Sequence, residues 1–143
     1  MGTAYLTDAI QGLTVAVWDG DVSAAQWRVH LDRVLGEADL PACRLFLADI
    51  RGAADVSTID DTHLDAMASR FAGTAPRGSR VAIVASSLFQ GAQTYQSYTT
   101  SRRVDVDTEV FLDVPSACSW LGVDLETANL AIMRVRSHIH SDQ

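Results

Sequence analysis

Three short apolar runs, LTVAVW at 13–18, CRLFLADI at 43–50 and RVAIVAS at 80–86, constrain this chain most. Each has the length of a strand buried on both faces, and each is followed by residues with helical rather than alternating periodicity. After the first run, Trp27, Leu31, Val34, Leu35 and Ala38 recur at steps of three and four. Ser23 with Gln26 three residues on has the form of a capping box for that helix, and Pro41 stops it. After the second run, Leu64, Met67, Ala68 and Phe71 form one helical face; after the third, Leu88, Ala92, Tyr95 and Thr99 form another. Strands alternating with helices predict a largely parallel sheet with helices packed on it.

The ends of the chain complete the pattern. TAYLTDAI at 3–10 reads as a strand joined to LTVAVW through Gln11-Gly12, a short glycine-containing link that predicts an antiparallel hairpin. TEVFLDV at 108–114 reads as the last strand. Asp113 then caps a short helix with Pro115 in its first turn, where a missing N–H is harmless. A further helix starts at Asp124, with Leu125, Ala128, Ile132, Val135 and Ile139 at steps of three and four. The expected fold is α/β: a mixed, mostly parallel five-stranded sheet that begins with an antiparallel hairpin, flanked by four helices, plus the C-terminal helix. At 143 residues the chain divides into an α/β domain over 1–122 and a helical extension over 123–143. The apolar seam on the extension is a candidate contact between two copies of the chain.

Composition narrows function. Net charge is −7 at pH 7, which argues against nucleic acid and anionic membranes as partners. All 11 basic residues are arginine, so no Schiff-base, Walker or receiver-domain lysine exists. The apolar runs fall short of the ~20 residues that span a bilayer, and MGTAYLTDAIQG lacks the basic and apolar regions of a signal peptide. A cytoplasmic protein without membrane insertion is expected. Cys43 and Cys118 show no metal-type spacing and read as buried thiols. His138 and His140, two positions apart on a helix, point to different faces and do not make a metal site. The sequence shows no nucleophile elbow, dinucleotide fingerprint or P-loop. No cofactor, no metal and no complete catalytic set is expected.

The order of IQGLTVAVWDGDVSAAQW, RLFLADIRGA, RVAIVASSLFQGAQTYQSY and EVFLDVPSACSWLG resembles the bacterial STAS-like family, over roughly residues 3 to 122. The resemblance implies a mixed sheet flanked by helices, an arrangement related to the CRAL-TRIO lipid-binding fold. Anti-sigma factor antagonists of this group carry Ile-Asp-Ser-Ser-Gly-Leu, whose first serine is phosphorylated. The matching stretch here is Ile59-Asp60-Asp61-Thr62-His63-Leu64, with Asp61 at the acceptor position. A second departure is Gln93, where relatives commonly carry arginine in Phe-Gly-x-Ala-Arg-Met-Tyr.

Two candidate surfaces follow. Ser57, Thr58, Asp60, Asp61 and Thr62 read either as a helix cap complementing the helix dipole or as a partner-facing regulatory surface. Asp49, Ser86, Ser87, Phe89, Gln93, Tyr95 and Asp113 should gather along the sheet edge where open α/β folds bind ligands. The functional reading is a non-enzymatic regulatory or scaffolding domain that binds a protein partner, with a homodimer as one form. The alternative is a carrier holding a small apolar molecule or lipid between the 87–103 helix and the sheet.

Overall fold

The computed structural model describes residues 2–55, 66, 69–71, 73–74, 76, 78–87 and 106–141. Strand β1 (Gly2–Asp8) and strand β2 (Leu13–Asp21) form the expected antiparallel hairpin. Its turn is held by Asp8 Oδ1, which accepts from the backbone N–H groups of Ile10 and Gln11 at 3.0 and 3.2 Å. Gly12 supplies the left-handed φ of +67° that returns the chain. Helix α1 (Ala24–Leu35) follows, and Ser23 with Gln26 makes the full capping box. A 3-10 turn at Leu40–Ala42 leads into β3 (Leu45–Asp55). Strands β4 (Ser79–Val84) and β5 (Val106–Phe111) complete a sheet ordered β1-β2-β3-β4-β5, with every pair after the hairpin parallel.

Two helices close the chain. Helix α2 (Val114–Leu121) is capped by Asp113, whose side chain accepts from the Ser116 N–H at 2.7 Å. Gly122 ends it at φ +76°, and the Gly122 and Val123 N–H groups both return to the Cys118 carbonyl. Helix α3 (Leu125–Ser141) starts one turn of chain later, with Thr127 bonded to Asp124.

The sheet is covered on both faces. One core contains Trp18, Trp27, Leu31, Phe46, Ile50, Phe71 and Ile83, under α1 and the helical residues near Phe71. Helix α1, between β2 and β3, and Phe71, between β3 and β4, both pack on this face, as right-handed crossovers between neighbouring parallel strands require. The other core contains Val15, Val17, Leu47 and Val84 beneath α2 and α3.

Helix α3 corrects two expectations. Ala128, Ile132, Val135 and Ile139, the expected seam between copies, are 0 to 5% exposed within this single chain. They pack on β1 and β2 and belong to the same core as the strands. A helix stripe of this width serves a neighbouring sheet as well as a second helix, and here the sheet takes it. Leu125, at the helix start, stays 38% exposed. Helix α3 is therefore a layer of the domain rather than an appendage. Strand β3 also runs past its expected end near Asp49, because β2 continues beside it to the Asp21–Asp55 pair.

Ile132→Ala should lower unfolding free energy by about 3 kcal/mol, as for other buried isoleucines that leave a cavity. Chemical denaturation measures this; a change of a few tenths would contradict the packing of α3 onto its own sheet.

Candidate functional site

Strands β4 and β5 stop together, at Val84 and Phe111, while β2 and β3 run on beside each other. Asp49 pairs with Val17 on one side and Val84 on the other, and β4 ends there. Asp49 is thus the last β3 residue with a strand on both sides. Side chains alternate along a strand, so Asp49 and Arg51 share the face of Leu47, beneath α3.

Asp49 is fully buried, and its carboxylate is saturated with donors. Oδ1 accepts from the Arg51 backbone N–H at 3.1 Å and from Arg51 Nε at 2.9 Å. Oδ2 accepts from Arg51 Nη2 and from Arg136 Nη2, each at 2.9 Å. Burial alone would push this carboxyl group up. The Arg51 hydrogen bonds and the charges of Arg51 and Arg136 outweigh it and hold the group below the ordinary carboxylate value. Asp49 in turn raises the Arg51 guanidinium, against its partial burial.

One turn further along α3, His140 Nε2 lies 2.5 Å from Asp19 Oδ2 on β2. Residues i and i+4 of a helix share a face, so Arg136 and His140 together engage carboxylates on two adjacent strands. Gly52 makes room for this. It pairs with Asp19, and a Cβ there would come within 2.5 Å of Asp19 Oδ1 and 3.2 Å of the Trp18 carbonyl.

The expected ligand edge is therefore assembled differently from the sequence reading. Asp49 is the anchor of an ion-paired cluster, not a carboxylate open to a ligand or a loop residue. Asp113 is exposed and caps α2; the hydrogen bonds from Ser116 hold its carboxyl group low. Ser86 and Ser87 follow β4 and are exposed. Phe89, Gln93 and Tyr95 lie outside the described residues, as do Ser57, Thr58, Asp60, Asp61 and Thr62. Sequence reasoning missed Arg51, Arg136, His140 and Asp19. Asp49 and Arg51 two apart on a strand are a readable signal for a same-face pair; nothing in the sequence points from Asp49 to Arg136.

Four other reactive groups among the described residues are buried or half-buried. Cys43 and Cys118 are both buried, and burial pushes both thiols up, which disfavours thiolate. Tyr5 donates to Glu37, and burial with that bond raises its hydroxyl to about 12. His30 is buried on α1, edge-on to Tyr5 at 5.7 Å between ring centroids. Burial, with the nearby Arg33 charge, lowers it from 6.5 to about 4. His30 lines two spaces. One is an open groove of about 580 Å³ along β1 with Gln26, Val29, Arg33 and His138. The other is an apolar crevice of about 50 Å³ under α1, lined by Trp18, Trp27, Phe46 and Phe71. Among the described residues no group of His, Cys, Asp and Glu is arranged to hold a metal ion, and no helix is long and apolar enough to cross a membrane.

Neither a family model nor a curated protein matches this sequence. Among solved structures, the chain is similar to an uncharacterized protein of the DUF3478 family with a SpoIIAA-like fold, from Shewanella loihica PV-4. The TM-score is 0.56 at 19% identity, over 84% of this chain and 94% of that one. The likeness establishes the fold as α/β and SpoIIAA-like, in agreement with the STAS-like pattern of the sequence.

His30 gives a pH dependence with a definite sign. The unfolded chain takes up a proton near 6.5 and the folded one only near 4, so stability falls as pH drops between those values, by up to about 3 kcal/mol. Urea unfolding of the wild type and of His30→Gln across this range measures it. The variant should lose less stability on acidification; parallel curves would contradict a buried, neutral His30.

Proposed function

We propose that this chain is a non-enzymatic regulatory domain that works by binding a partner protein through the outer face of α3. The observation that carries the reading is the placement of Leu130 and Met133, 54 and 64% exposed, on a helix whose inner stripe is already covered by the sheet. Long apolar side chains in this position gain most from a second surface. The net charge of −7 favours a partner with a basic rim around its apolar contact. The SpoIIAA-like fold is compatible with such a role, and the enclosure of His30, Cys43, Cys118 and Asp49 gives the described residues little to offer covalent or acid–base chemistry. The 50 Å³ crevice under α1 is far below the roughly 300 Å³ where small-molecule pockets begin, which weighs against a lipid carrier on that face.

The test is a comparison of wild type with the double variant Leu130→Glu, Met133→Glu in the protein's own cells. Crosslinking should recover one protein at fixed stoichiometry with the wild type and lose it, by tenfold or more, with the variant, while the melting temperature stays within about 2 °C. Recovery of the same protein by both would contradict the assignment. Native mass spectrometry separates the other outcomes: a second copy of this chain as the partner, or a monomer that retains a small molecule until denatured, which would favour the carrier.

A further inference from the structure

We propose that Arg51 and Arg136, held in place by Asp49, form a receptor for a phosphate monoester at the C-terminal edge of the sheet. The site is separate from the outer face of α3 and does not depend on the partner proposed for Leu130 and Met133.

The charge count is the starting point. One buried carboxylate meets two guanidinium groups, one positive charge more than Asp49 carries, with the Asp19 carboxylate against His140 on the adjacent strand. A single arginine would have neutralised Asp49, and Arg51 alone already meets both of its oxygens. The second guanidinium fills the acceptor site that Arg51 leaves on Oδ2 and brings a further positive charge with it. As a purely stabilising device the cluster has no clear advantage over apolar side chains of similar volume.

Among the described residues the donors are partly unspent. Arg51 gives Asp49 its Nε and one Nη2 hydrogen, and Arg136 gives one Nη2 hydrogen. A guanidinium carries five N–H groups in a fixed fork, so most of each fork is not used on the described residues. The side chains are 38 and 36% exposed, within reach of a ligand from solvent. Because Asp49 fixes both, little side-chain freedom remains to be lost on binding. The position is level with the carboxyl ends of β4 and β5, toward the side on which open α/β sheets bind ligands, while β2 and β3 continue past it.

The class of ligand follows from charge and shape. Phosphate presents three oxygens to paired forks and carries close to two negative charges, whereas a carboxylate carries one. The surrounding field opposes any anion: the chain is acidic, and Asp19, 26% exposed, sits on the neighbouring strand with His140. Denser charge gains more from the two guanidinium groups against that field.

Amide NMR titration of the full chain at pH 8 tests this, with inorganic phosphate, O-phospho-L-serine and acetate as probes. Both phosphate probes should give saturable shifts centred on residues 49–52 and on the α3 turn around Arg136, with acetate at least tenfold weaker. Arg136→Met and Arg136→Lys should each weaken phosphate binding tenfold or more; the lysine variant keeps a cation for Asp49 and loses the fork, so it reports on binding even where the methionine variant is poorly folded. Arg134→Met, which removes an exposed arginine outside the cluster, should change binding less than twofold. Absence of saturable shifts, equal weakening by Arg134→Met, acetate binding as tight as phosphate, or binding of inorganic phosphate without phosphoserine would each overturn the assignment.

Discussion

A carboxylate buried in the middle of a sheet is tolerable only when all its acceptor sites are met. Asp49 meets this condition with four hydrogen bonds, three from Arg51 and one from Arg136. The contact from Arg136 comes from a helix 87 residues further along the chain. It therefore fixes where α3 lies along the strands. The apolar stripe Ala128, Ile132, Val135 and Ile139 supplies most of the adhesion, but a hydrophobic face is indifferent to small slides. The directional bond to Asp49, with His140 on Asp19 one turn away, selects one register.

The same cluster divides the molecule's surfaces. The inner face of α3 is spent on the sheet, and the outer face is left with Leu130 and Met133. Between them, at the strand ends, two half-exposed guanidinium groups stand over a buried negative charge. A fold shared with a SpoIIAA-like protein from Shewanella loihica thus carries here two exposed apolar side chains on α3 and two arginines fixed on a buried carboxylate. Among the described residues, His30, Cys43, Cys118 and Asp49 are buried.

Much of the fold was legible because strands and helices write different periods. LTVAVW, RVAIVAS, the Ser23–Gln26 capping box and the Asp113 cap with Pro115 all lie where local chemistry places them. What was not legible is nonlocal. A stripe such as Ala128–Ile132–Val135–Ile139 reads the same whether it meets a sheet or a second chain, and only the structure shows that the sheet takes it. Asp49 read as part of a ligand-binding sheet edge because β3 looked finished; its continuation depends on β2 running equally far and on Gly52 clearing Asp19. His140 read only as a candidate metal ligand beside His138, because its partner lies 121 residues away.

The most direct measurement is a double-mutant cycle between Asp49 and Arg136, using Asp49→Asn, Arg136→Met and the double variant in urea unfolding. If the ion pair couples α3 to the sheet, the two changes should be non-additive by about 1 kcal/mol or more, since contacting charged residues share their loss. Additive effects, with a coupling near zero, would contradict the central role of Asp49 and leave the apolar stripe alone holding the helix.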